Sequence, residues 1–132
     1  LAYAPQFGSA KDPVNMLGFI DENLVAGLTE TIQWHEVDDA VRSGRLLVDV
    51  RTPEEFRDGH LPGACNVPVD ELRHRLDALP AGDLVVYCQS GARSHIAVRL
   101  LAQHGRRAHN LDGGYRTWST SPAARTTVKE AV

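Results

Sequence analysis

Cysteine is scarce in this sequence, and neither charge nor apolar residues run long enough to fix a location. Only Cys65 and Cys88 occur in 132 residues. A small secreted domain built on disulfides uses more, so the two read as reduced thiols of a cytoplasmic protein. No apolar stretch approaches the roughly 18 residues that cross a bilayer. Leu1-Ala2-Tyr3-Ala4-Pro5 does not have the shape of a signal peptide, and no membrane association is expected. No basic stretch is long enough for a nucleic-acid face, and no acidic run makes a tail, at a net charge of −3. The six histidines are scattered and supply no closely spaced ligand pair, so no metal site is expected. The chain opens on Leu1 and not on methionine, which points to a fragment or a processed product.

What is present suits one globular domain, with 42% hydrophobic residues. Residues 1–28 differ from the rest. Proline and glycine punctuate Tyr3 to Pro13, and Val14 to Leu28 carries weak helical spacing, so this part reads as an arm or linker. The compact domain is expected over 29–120 and a frayed tail over 121–132.

Within the domain, Thr31-Ile32-Gln33-Trp34 alternates like a strand, and His35 to Arg42 forms a short helix closed by Gly44. Leu46-Leu47-Val48-Asp49-Val50 is nearly all apolar, as in a strand covered on both faces. Thr52 is placed to cap a helix that has Pro53 at its first position, acidic residues in its first turn and Gly59 at its end. Cys65-Asn66-Val67 reads as a short strand, and Asp70 to Leu79 as a helix with Leu72, Leu76 and Leu79 on one stripe. Leu84-Val85-Val86-Tyr87 is a second buried strand. A helix over Ser94–His104, a strand over Arg107–Leu111 and a last helix through Tyr115 and Trp118 follow. The alternation implies an α/β domain with a mostly parallel central sheet and helices on both faces. Ligands of such sheets bind beyond the carboxyl ends of the strands, where Cys88 lies.

After Cys88 come Gln89, Ser90, Gly91, Ala92 and Arg93, and a helix opens near Arg93 or Ser94. Gly91 permits a tight turn. A loop curled over the sulfur turns its N–H groups inward, and the helix N-terminus and Arg93 add positive charge. This cradle suits a nucleophilic thiolate and a bound anion. The bland alternative is a small buried side chain at a strand end. Four residues separate Cys88 from Arg93. The ring is short for a tetrahedral phosphate, and no residue is marked as the acid a phosphatase needs. The ring suits a sulfur atom. Cys88 would then attack a sulfane sulfur, become a persulfide, and pass that sulfur to a second nucleophile, with the loop N–H groups and Arg93 as catalytic partners that stabilise the charged persulfide.

These motifs resemble the rhodanese-like (sulfurtransferase) domains. The likeness covers about residues 31–119. It rests on Leu47-Val48-Asp49-Val50-Arg51 with Pro53-Glu54-Glu55-Phe56, on Gly59-His60-Leu61-Pro62-Gly63-Ala64 with Asn66-Val67-Pro68, on Tyr87-Cys88-Gln89-Ser90-Gly91-Ala92-Arg93-Ser94, and on Leu111-Asp112-Gly113-Gly114 with Trp118. It implies a three-layer fold with Cys88 as nucleophile and Arg93 beside it. Gln89, Ser90, Gly91, Ala92 and Ser94 then form the substrate loop. It also implies sulfur transfer from thiosulfate, polysulfide or a protein persulfide to a thiol acceptor. Residues 3–23, above all Tyr3 to Met16, resemble the end of the dimerisation domain of FAD-dependent pyridine nucleotide-disulfide oxidoreductases of the coenzyme A-disulfide reductase type, which carry a C-terminal rhodanese domain. The flavoprotein domains of such a parent would be partners. FAD and NAD(P)H would belong to that parent, because this chain has no Gly-rich βαβ segment.

The remaining polar residues carry weaker expectations. Asp49 and Arg51 are candidates for the site rim, or else a structural charge pair. His60 reads as a hydrogen-bonding turn residue, Cys65 as core packing, and Tyr115 and Trp118 as core or pocket wall. If Cys65 resolved a persulfide, oxidant would link it to Cys88. Two further classes remain: a non-catalytic docking or regulatory module of the same fold, and a small phosphatase or arsenate reductase.

Overall fold

The computed structural model describes residues 30–124. The expected arm over residues 1–28 lies outside them. Five strands form one sheet: β1 (Thr31–Ile32), β2 (Leu46–Asp49), β3 (Cys65–Asn66), β4 (Leu84–Tyr87) and β5 (Ala108–Leu111). Their spatial order is β1-β5-β4-β2-β3, and every pairing is parallel. The helices are α1 (Val37–Arg42), α2 (Pro53–Asp58), α3 (Val69–Leu72), α4 (Ala92–Gln103) and α5 (Gly114–Ser119).

Side chains alternate across a strand, and the two buried central strands divide the core accordingly. Val48, Leu84, Val86 and Cys88 pack on one face with Leu72, Ala97 and Leu101. Leu47, Val85 and Tyr87 pack on the other with Val37, Leu61 and Trp118. Both faces are covered, as the apolar runs required. The register pairs Asp49 with Tyr87 and Val86 with Asn110, so the carboxyl ends of β2, β4 and β5 form one rim.

Several boundaries differ from expectation by a residue or two, and four departures have a visible cause. β1 stops at Ile32, because the Gln33 N–H already donates to Glu36 Oε1 at 2.9 Å and begins a 3-10 turn over Trp34–Glu36. The helix expected over 70–79 breaks after Leu72. Its N–H groups reach back three residues, from Glu71 to Pro68, Arg75 to Leu72 and Leu79 to Leu76. Arg75 leaves helical backbone at φ −123°, and a second 3-10 turn follows over Leu76–Ala78. α4 begins at Ala92, two residues early, because Gly91 at φ +126° makes the turn into it. The expected frayed tail is packed at its start: Ser121 and Ala124 are buried, and Ala124 joins the Trp118 cluster. Residues 125–132 lie outside the described part.

Candidate active site at Cys88

β4 is buried along its whole length and delivers Cys88 to the rim with 1% of its surface exposed. Alternation turns Cys88 toward the α4 side and Tyr87 to the opposite side. The Tyr87 hydroxyl accepts the Leu61 N–H at 3.0 Å, which ties the 59–64 turn to β4. Burial first, and then Asp49, raise the Tyr87 phenol far above its usual range, so this hydroxyl keeps its proton and serves as a strut.

The loop closes on the sulfur. The Gly91 N–H donates to Cys88 Sγ at 3.0 Å, and Ser94 Oγ lies 3.4 Å from the same atom. Ser94 is fully buried, and its hydroxyl faces Asn110 Oδ1 at 2.5 Å and Gly91 O at 3.1 Å. Asn110 Nδ2 donates to Gly91 O at 3.2 Å. Asn110, on β5, thus holds both the serine and the glycine that contact sulfur. Sequence reasoning missed it. Its one signal was an amide in an otherwise apolar position of a central strand, where a buried polar group needs a partner.

From outside, α5 braces the loop. The Tyr115 N–H donates to Cys88 O at 2.8 Å and the Arg116 N–H to Gln89 O at 3.0 Å. Gly114 permits this approach. At φ +58°, a Cβ there would stand 2.7 Å from Gln89 O and closer still to Cys88 O. The Asp112-Gly113-Gly114 turn therefore holds the Cys88 and Gln89 carbonyls toward α5, and a trans peptide then turns the N–H of the next residue the other way.

The rim pairs two cations with two carboxylates. Asp49 is fully buried and takes Arg51 Nη2 at 2.7 Å, Arg51 Nε at 3.1 Å and the Arg51 N–H at 2.9 Å. Arg51 also donates to Gly59 O at 2.6 Å and to Gln89 Oε1 at 3.2 Å, and its guanidinium lies 4.4 Å from the Tyr115 ring centroid. The structural charge pair is thus the observed arrangement, and through Gln89 it reaches the loop. Arg93, in the first turn of α4, makes two hydrogen bonds to Glu55 of α2, at 2.8 and 3.0 Å. Glu55 is the second residue that sequence reasoning missed in this role. Arg93 holds its carboxyl down at about 2, and hydrogen bonds from Thr52 add to the effect. Pairing with Glu55 raises Arg93 despite burial, and the nearby Cys88 adds to the rise.

Gln89, Ser90 and Ala92 line the mouth half-buried. His60 keeps its turn role, with Nδ1 2.7 Å from Phe56 O and its ring stacked on Phe56. Trp118 is core, and half-buried Tyr115 packs against the same cluster. Cys65 departs from expectation: it is exposed on the edge strand β3 and not packed in the core. The register sets it level with Val86 across β2. Its Cα is then about 11–12 Å from that of Cys88, beyond the roughly 7 Å a disulfide tolerates. Among the described residues no group of three His, Cys, Asp or Glu is placed to hold a metal ion, and no helix is long and apolar enough to cross a membrane.

A backbone N–H and a helix N-terminus converge on a cysteine sulfur at the end of a parallel strand. Such a site stabilises negative charge on that sulfur and on an atom bonded to it. The family model of the rhodanese-like domain matches residues 33–121. The chain is a member of that family. The rhodanese chain is 43% identical over 56% of its length to a sulfurtransferase of Allochromatium vinosum, covering 71% of that protein. It is 36% identical over 67% of its length to the human thiosulfate:glutathione sulfurtransferase, covering 91% of that protein. Among solved structures, the reduced CoADR-RHD of Bacillus anthracis matches with a TM-score of 0.69 and 45% identity. That match takes in 91% of this chain, more than the family model does, but only 22% of the Bacillus protein. Sulfur transfer is the chemistry for which its named relatives are known.

Proposed function

We propose that this rhodanese domain moves sulfane sulfur through a persulfide on Cys88. The Gly91 N–H aimed at Cys88 Sγ at 3.0 Å carries the reading. The Cys88 thiolate attacks the outer sulfur of a donor such as thiosulfate. The donor S–S bond breaks, sulfite leaves with the bonding pair, and Cys88 keeps the sulfur as a charged persulfide. An acceptor thiolate then attacks the terminal sulfur, departs as its own persulfide, and returns Cys88 as thiolate. Charge and sulfur balance in both steps, with no outside oxidant. Gly91 and the first turn of α4 stabilise the charge that the persulfide carries. Gln89, Ser90 and Ala92 form the wall where donor and acceptor enter. Polysulfide and protein persulfides fit the same chemistry.

The domain acts as the C-terminal part of a flavin-dependent disulfide or polysulfide reductase. The breadth of the match to the Bacillus protein and the likeness of residues 3–23 to a reductase dimerisation domain support this. FAD and NAD(P)H belong to the parent's flavoprotein domains. Gly113-Gly114 is a strand-to-helix glycine turn, but the Tyr115 and Arg116 N–H groups a nucleotide phosphate would need are taken by the Cys88 and Gln89 carbonyls. The scarcity of cysteine supports a cytoplasmic location for this work. Incubation with thiosulfate or polysulfide adds the mass of one sulfur atom to the wild-type protein and none to Cys88→Ala. Intact-mass spectra without the adduct for every sulfane donor tried would overturn the proposal.

A further inference from the structure

Both guanidinium groups at the mouth are occupied by carboxylates of their own chain. Arg51 gives Nε and Nη2 to Asp49 and Nη1 to Gln89. Arg93 gives Nη1 and Nη2 to Glu55. The position of Glu55 does not depend on Arg93. A capping box fixes the start of α2, with the Thr52 N–H on Glu55 Oε1 at 3.0 Å and the Glu55 N–H on Thr52 Oγ1 at 3.2 Å. The carboxylate therefore stands at the mouth by virtue of its own helix, and Arg93 turns to meet it. Held near 2, it stays charged at every working pH. A donor with two negative charges finds the local cation already neutralised and a carboxylate beside it.

We propose that Glu55 determines donor specificity: by pairing Arg93 it disfavours dianionic sulfane donors and favours donors of single charge. The inference rests on sulfur transfer at Cys88. Two probes isolate the charge. Thiosulfate is a dianion. Methanethiosulfonate puts a methyl group where thiosulfate has one oxyanion and is a monoanion, with a sulfinate in place of sulfite as leaving group. Each transfers its outer sulfur to the thiolate with the same bonds formed and broken.

The readout is the ratio of kcat/KM for thiosulfate to that for methanethiosulfonate. Glu55→Gln keeps an oxygen for the Thr52 N–H and removes the charge. It should raise the ratio by roughly three- to tenfold, the effect of one uncompensated charge a few ångströms away in a partly solvated mouth. The gain should shrink as salt rises. Glu55→Asp, which keeps the charge, should leave the ratio close to wild type. A merely structural role would lower both rates together and leave the ratio alone. An unchanged ratio in Glu55→Gln, or one shifted toward methanethiosulfonate, would overturn the inference. So would a wild-type ratio that falls steeply with salt, since that marks an unpaired cation and needs no variant to measure. If no sulfane donor, polysulfide included, sulfurates wild-type Cys88, sulfur transfer itself is refuted. If both do and the ratio stays fixed in the variant, only the role of Glu55 falls.

Discussion

Replacing Asp49 by alanine tests how this scaffold holds its loop. The carboxylate is fully buried, and the Arg51 side chain it pairs with is 3% exposed. At a separation of 2.7 Å, the attraction is about 6 kcal/mol at an effective dielectric of 20. Desolvation of two ions cancels most of that, so the pair as a whole contributes little net stability. Removing one member is different, because the other stays buried and unpaired, at a cost of about 3–5 kcal/mol. For a domain of this size, each kcal/mol moves the midpoint by about 4–8 °C, so Asp49→Ala should melt at least about 12 °C below wild type. The double replacement Asp49→Leu/Arg51→Met removes both charges and should recover at least half of the loss. It will not recover all, since Gly59 O and Gln89 Oε1 lose the donors they have in the native fold. Urea unfolding followed by fluorescence of the buried Trp118 gives the free energies, and wild type, Asp49→Leu, Arg51→Met and the double variant form a double-mutant cycle. A loss below about 1 kcal/mol for Asp49→Ala, or a double variant as unstable as the sum of the singles, would refute the reasoning.

Three further outcomes follow from the geometry. Arg93 lowers Glu55 from 4.5 to about 2, so the pair's stabilisation is complete above pH 4.5 and is lost as pH falls toward 2; Glu55→Gln should lose about 1–2 kcal/mol at neutral pH, and equilibrium unfolding from pH 6 to pH 3 should show the gap to wild type closing. Gly114→Ala should lower stability by about 2–4 kcal/mol and slow sulfur loading of Cys88. Gly105→Ala, at φ +76° with nothing within 4 Å of the added Cβ, should cost only about 1 kcal/mol, and denaturant midpoints with single-turnover mass analysis separate the two. Diamide should give no intramolecular link between Cys65 and Cys88, because the sheet register keeps them too far apart; a product two hydrogens lighter, with both thiols blocked to alkylation, would contradict that placement.

Much of this fold was legible because its signals are local. Leu46 to Asp49 and Leu84 to Tyr87 show their two-sided burial as apolar runs, and Thr52-Pro53-Glu54-Glu55 carries a helix start within four residues. The loop was legible for the same reason, since its length and Gly91 are properties of the chain. What escaped depends on tertiary contact. Glu55 meets Arg93 across 38 positions and Asn110 meets Ser94 across 16, and neither partner is named by any periodicity. The Asp70–Leu79 stripe was compatible with an α-helix and with successive 3-10 turns, because Leu72, Leu76 and Leu79 can face one side in either. Cys65 reads as apolar in sequence, but β3 is the edge of the sheet, and the edge exposes it.

The glycine pair at 113–114 links the legible part to the hidden one. In sequence it is a turn between a strand and a helix. In the fold it lets α5 approach so closely that its first N–H groups take the carbonyls of Cys88 and Gln89. A peptide plane with its carbonyl held outward presents the N–H of the next residue inward, so the brace orients the loop from the side away from the sulfur. Ser94 and Asn110 fix the other end at Gly91 O. The charge-stabilising surface around Cys88 is therefore backbone, set by three strand ends and two helix starts. The two guanidinium groups are paired elsewhere, with Asp49 and with Glu55. On the proposed reading, the loop's amides and the α4 terminus would hold the persulfide, the Asp49–Arg51 pair would position the rim, and the Glu55–Arg93 pair would select which donor reaches it.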